Sequence, residues 1–118
     1  MIKIITFIPL FFLFACAAQK KVVDSTELPA CLKAKIDSMT IDPNEGSPQS
    51  VTRYTYHLRT VYYMKAPCCD KFNIVFDSAC TILGYPDGGL TGRGDGKMTD
   101  FFKDAKDARV IWKLNISR

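Results

Sequence analysis

The sequence predicts an α+β domain: a small antiparallel sheet of about four to five strands, an N-terminal helix, a short C-terminal helix and disulfide staples. Three observations carry this. Apolar residues recur at helical spacing before residue 40 and at strand spacing after residue 50. The strand-like runs are separated by turn-length gaps, which suits a meander and not crossover units. Cysteines stand in the body of a chain that opens with an export-type leader.

Residues 1–15 read as a targeting segment. Lys3 supplies the positive start, and Ile4 to Phe14 is an apolar stretch too short to span a bilayer as a mature helix. It ends in Leu13-Phe14-Ala15-Cys16, which resembles a bacterial lipobox with Cys16 as the lipidated new N-terminus. The alternative is ordinary signal-peptide cleavage after Ala15, Ala17 or Ala18. Residues 16–24 are then a polar tether, and 25–118 form a single domain of about 100 residues with one modest core. The formal charge is +4, with the basic residues scattered. No basic stripe interleaved with aromatics is present, so no nucleic-acid partner is expected.

Leu28, Leu32, Ile36 and Met39 share one helical face, with Pro29 in the first turn and Ser25 or Thr26 as cap. Asp42 to Ser50 is a loop by its prolines and glycine. Val51 to Leu58 alternates, with Tyr54, Tyr56 and Leu58 on one side and Arg53, Thr55 and His57 on the other. Thr60 to Met64 is the second strand. The link near His57–Thr60 lacks the Gly or Asn of a tight hairpin, so its turn is left open. Phe72 to Asp77 is the third strand, with Phe72, Ile74 and Phe76 inward, and Cys80 to Tyr85 the fourth. Pro86 to Lys97 reads as a Gly-rich loop. Thr99 or Asp100 opens a helix through Ala108, and Arg109 to Asn115 closes as a strand with Val110 and Trp112 on one side. The two helices are expected against one face of the sheet.

Four cysteines besides Cys16 remain: Cys31, Cys68, Cys69 and Cys80. An oxidising compartment favours two disulfides, and four cysteines allow three pairings. Joining the neighbours Cys68 and Cys69 closes a strained eight-membered ring, so that pairing ranks last. Cys31 is therefore expected to join one of the pair and Cys80 the other. Each bridge contributes about 2–4 kcal/mol.

Ala66-Pro67-Cys68-Cys69-Asp70, Phe72-Asn73 and the run Pro86-Asp87-Gly88-Gly89 through Gly92, Gly94-Asp95-Gly96 resemble a domain-of-unknown-function family in small Bacteroidetes lipoproteins. The similarity extends back to Leu28-Pro29 and Cys31 and forward to Ile111-Trp112-Lys113. The resemblance implies an address in the bacterial cell envelope and no particular activity. Members often carry an acid soon after the lipidated Cys as a surface-export signal. Ala17 to Lys21 lacks one, which implies an outer-membrane anchor facing the periplasm.

Chemistry can sit in four places. Asp87, Asp95 and Asp100, with carbonyls freed by the loop glycines, could ring a calcium ion; otherwise they make Asx turns and cap the next helix. The same loop offers backbone N–H groups to an anion, with Arg93 and Lys97 beside it. Cys68-Cys69 could exchange thiols, although no Cys-x-x-Cys motif is present. His57, the sole histidine, reads as an exposed strand-end residue, and the tyrosines as core packing or a recognition face. The expectation is a non-enzymatic, lipid-anchored binding or structural module using the Gly/Asp-rich loop. Its partner is an envelope protein or a small ligand, and no cofactor other than calcium is suggested. The alternative is a thiol-redox accessory or small hydrolase.

Overall fold

A computed structural model describes residues 27–42, 46–68 and 70–115. The leader, Cys16, the tether with Ser25 and Thr26, and Cys69 lie outside the described residues. Helix α1 (Ala30–Ile41) is followed by strands β1 (Ser50–Tyr56), β2 (Arg59–Lys65), β3 (Phe72–Asp77) and β4 (Ile82–Gly88). A short helix α2 (Phe101–Asp104) leads into β5 (Lys106–Lys113). The five strands form one antiparallel sheet in the order β4-β3-β2-β1-β5. The predicted α+β architecture is thus the observed one. The first four strands are a meander, because each hairpin pairs with its neighbour at little loop cost. The last strand crosses over the sheet and takes the open edge of β1.

Both faces of the sheet are covered. Leu32 and Ile36 of α1 meet Val51, Tyr62, Met64, Phe76 and Ile111 on one side, with Leu28 and Met39 at the margin. Val61, Tyr63 and Val75 meet Met98 and Phe101 on the other. Central β2 is therefore buried at four consecutive residues, Val61 to Met64. The expectation of two helices on one face fails. Strand alternation sends Val61, Tyr63 and Val75 away from α1, and Met98 and Phe101 are the apolar residues that come back to cover them.

The helix N-cap is Pro29, with no side-chain cap bond. Glu27 fixes the helix start to the sheet through Arg109 at 2.9 Å and Arg53 at 3.6 Å. β1 ends at Tyr56, two residues before the sequence suggests. His57 and Leu58 form a two-residue turn, both at positive φ (46° and 62°), so Tyr56 pairs directly with Arg59. This is the backbone of a mirror-image hairpin turn, which usually recruits Asn-Gly. Leu58 is 99% exposed there.

Four further differences follow from local geometry. Pro86 and Asp87 belong to β4 and not to the loop; Pro86 is tolerated because β4 is an edge strand. The second helix is a single turn, and β5 begins at Lys106. In β5 the register slips between Val51 opposite Trp112 and Thr52 opposite Val110. This bulge places Ile111 in the core with Trp112 packed beside it, while Val110 is 44% exposed. Phe72 also departs from the inward reading: it lies at the strand end and is 42% exposed, whereas Phe76 is buried.

The disulfide pairing is corrected too. Cys31 bonds to Cys80, tying α1 to the β3–β4 turn. Cys80 packs against the same core as the helix, which is why it is the cysteine within reach. Cys68 is also disulfide-bonded. Among the described residues no helix is long and apolar enough to cross a membrane.

Candidate functional site

The three loop aspartates each turn to a different partner. Asp87, on β4, accepts the Tyr63 hydroxyl at 3.0 Å on both carboxylate oxygens and the Asn73 amide at 3.0 Å. Asn73 is itself fixed by the Ala66 N–H at 2.8 Å. Burial, followed by the Asp87 charge, holds the Tyr63 hydroxyl well above its ordinary pKa. Asp95 accepts the Lys97 N–H at 3.0 Å in an Asx turn, and its own N–H donates to the Tyr85 carbonyl at 3.0 Å. Asp100 faces neither of them.

The loop is pinned to the sheet by its backbone. The Gly94 N–H donates to the Gly88 carbonyl at 3.1 Å, and the Gly89 N–H to the Lys71 carbonyl at 3.1 Å. Gly94 has φ 68°, and a Cβ there would collide with the Tyr85 carbonyl oxygen. Arg93 is exposed, its N–H donating to the Thr91 hydroxyl at 3.3 Å. The loop is therefore a tightly hydrogen-bonded cover, and not an open ring of ligands.

Asp100 joins a cluster at the opposite end of β2. Its carboxylate accepts the Tyr56 hydroxyl at 2.7 Å and lies 3.2 Å from His57 Nε2. Asp104, from the end of α2, lies 3.3 Å from the same nitrogen. The His57 ring stacks on Tyr56 with centroids 3.9 Å apart. Burial and the bond to Asp100 push the Tyr56 hydroxyl up to about 12. The Tyr56 hydrogen bond in turn holds the Asp100 carboxyl below its ordinary value. Among the described residues, these are the histidine and carboxylate side chains that converge closely enough for one ion. The sequence offers Asp100 and His57 but not their meeting. Asp104 is missed altogether, since it lies 47 positions from His57 and carries no motif.

A third feature surrounds Phe72. Met39, Met64, Ile74, Phe72 and Tyr85 line a half-open apolar cleft of about 340 Å³. A second cleft, on the loop side of the same ring, is lined by Gly89, Leu90, Thr91 and Gly94. The Phe72 and Tyr85 rings are 5.0 Å apart. Phe72 also lies against Gly89, where a Cβ would come within 2.6 Å of the ring.

Residues 37–114 match the family described as a domain of unknown function, DUF6970. The chain belongs to this family. The matched span covers more than half of the chain and holds all five strands, the Gly-rich loop and α2. His57, Asp87, Asp100, Asp104 and Phe72 all lie in the DUF6970 span, as does Cys80, whereas Cys31 precedes it. No curated protein and no solved structure matches the chain.

Proposed function

We propose that this chain is a lipid-anchored, non-enzymatic binding module of the bacterial cell envelope, which contacts a protein partner through Phe72 and the Gly-rich loop. The observation that carries the reading is Phe72 itself. A large aromatic ring is 42% exposed, flanked by clefts on both sides and seated on Gly89 and Tyr85. Rigid aromatic anchors beside clefts are favoured at interfaces, because little side-chain entropy is lost when they are covered. Leu90, 89% exposed at the loop, extends the apolar surface. The complementary group is an apolar side chain of the partner, large enough to fill the cleft beside Met64 and Ile74.

The anchor reading rests on Leu13 to Cys16 and the apolar stretch before it. The thiol-redox alternative draws no support from the described cysteines, since Cys31, Cys68 and Cys80 are all disulfide-bonded.

The test uses the full chain in its native envelope with a photo-crosslinking residue at Leu90, and a control at Lys35 on the exposed side of α1. The expected result is one discrete adduct from position 90, absent at position 35 and lost with Phe72→Ser. Equal adducts from both positions, or an adduct indifferent to Phe72→Ser, would sink the reading. Cys16→Ala tests the anchor separately, by release of the protein from the membrane fraction.

A further inference from the structure

We infer that His57, Asp100 and Asp104 form a binding site for a borderline divalent cation of the zinc type. Two carboxylates alone would say nothing, since exposed acids are commonly paired or solvated. The sole imidazole of the chain, placed against both of them, changes the chemistry. One nitrogen from the β1–β2 turn and two carboxylate oxygens from the two ends of α2 lie within 4.8 Å of one another. A tetrahedral zinc with bonds of about 2.0–2.1 Å holds its ligand atoms about 3.3 Å apart. His57 Nε2 stands 3.2 Å from Asp100 and 3.3 Å from Asp104, so these donors already sit at ligand spacing.

The surroundings support the site. Stacking on Tyr56 sets the imidazole plane, and the Tyr56 hydroxyl orients Asp100 from its other oxygen. Such outer partners commonly fix metal ligands. The three side chains are 39–56% exposed, which leaves the remaining coordination positions to water or to a group from a partner. Arg59 and Lys97 line one flanking cleft and Lys106 the other. These positive charges penalise an ion held by charge alone. Any cation bound there must therefore be held by the directed nitrogen and oxygen bonds of the three side chains. With a nitrogen donor present, the hard, oxygen-seeking calcium ion fits poorly.

The test is titration calorimetry of Zn²⁺ into the full-length protein stripped of metal by chelator. The expected result is a single site, weakened at least about tenfold by His57→Gln and by Asp104→Asn. Asp95→Asn leaves it unchanged, and excess Ca²⁺ does not compete. Tyr56→Phe, which removes no ligand, weakens binding by a smaller factor. A thermal melt of each variant separates lost binding from lost folding, and Asp104→Asn alone decides the matter if His57→Gln unfolds the hairpin. No binding heat, binding indifferent to both ligand variants, or equal displacement by Ca²⁺ would overturn the inference. The cluster would then be a histidine ion-paired to two acids, and nothing more.

Discussion

Tyr63–Asp87 and Tyr56–Asp100 join the same two residue types by the same kind of bond on the same face of one sheet. Their surroundings differ. Asp87 is closed in by neutral donors, the Tyr63 hydroxyl and the Asn73 amide, and Asn73 is anchored by backbone. Asp100 shares its carboxylate with a titratable imidazole beside an exposed turn. Tyr63 is 9% exposed, whereas His57 is 56% exposed along its side chain. The inner pair has spent its bonding capacity on the fold. The outer pair keeps donors facing solvent, which is where a ligand can compete.

The comparison can be broken by substitution. Asp87→Ala leaves the Tyr63 hydroxyl and the Asn73 amide without their acceptor in a half-buried place, and should cost about 2–4 kcal/mol in denaturant unfolding. A cost below about 1 kcal/mol would mean the inner pair is not structural. A smaller effect of opposite sign is expected at the turn. Leu58→Gly removes a left-handed, fully exposed leucine and should stabilise by about 0.5–1 kcal/mol, read as a higher Tm. Destabilisation would mean that Leu58 makes contacts outside its own hairpin.

Alkaline titration separates the two tyrosines. A folded-state pKa raised above the unfolded value of 10.0 favours folding fully below pH 10 and loses that contribution as pH rises. For Tyr56 the window runs from 10 to about 12. Tyr56→Phe should remove that part of the alkaline loss and the matching tyrosinate absorbance, while the Tyr63 part persists. The smallest effect belongs to Asp100. Its lowered pKa gives stability that is present above the unfolded value of 3.8 and lost as pH falls through the folded one. Asp100→Asn should flatten that acid limb by lowering the neutral-pH Tm slightly while leaving the most acid melts unchanged, a small effect because exposed pairs contribute little.

The sequence was legible where structure is local. Leu28, Leu32, Ile36 and Met39 mark the helix face by spacing alone, and the first four strands follow from β-prone runs between turns. It was opaque where one residue decides geometry. His57-Leu58 adopts a turn whose usual Asn-Gly signal it lacks, so β1 reads two residues too long. The bulge at Ile111 parts Val110 from Trp112, leaving Val110 exposed while Trp112 packs beside buried Ile111, which no alternation rule anticipates. The Asp104–His57 contact and the Cys31–Cys80 bond depend on which face each helix covers, and that is settled by the whole sheet. Asp95 kept the modest role of an Asx turn.

The Cys31–Cys80 bond spans 49 positions, and Cys80 is the last cysteine in the chain. A protease cut between α1 and β1 therefore falls inside a covalent ring and leaves both pieces tied, so they run as one band until reduced. A cut in the Gly-rich loop falls outside the ring. The severed piece carries Asp100, Asp104 and β5, and stays in place only through non-covalent contacts: its pairing with β1, the apolar packing of Phe101 and Ile111, and the bonds of Asp100 to Tyr56 and Arg109 to Glu27. One nick at that loop thus leaves the two acids with no covalent tie to His57, while a nick between α1 and β1 leaves every part of the fold on one covalent chain.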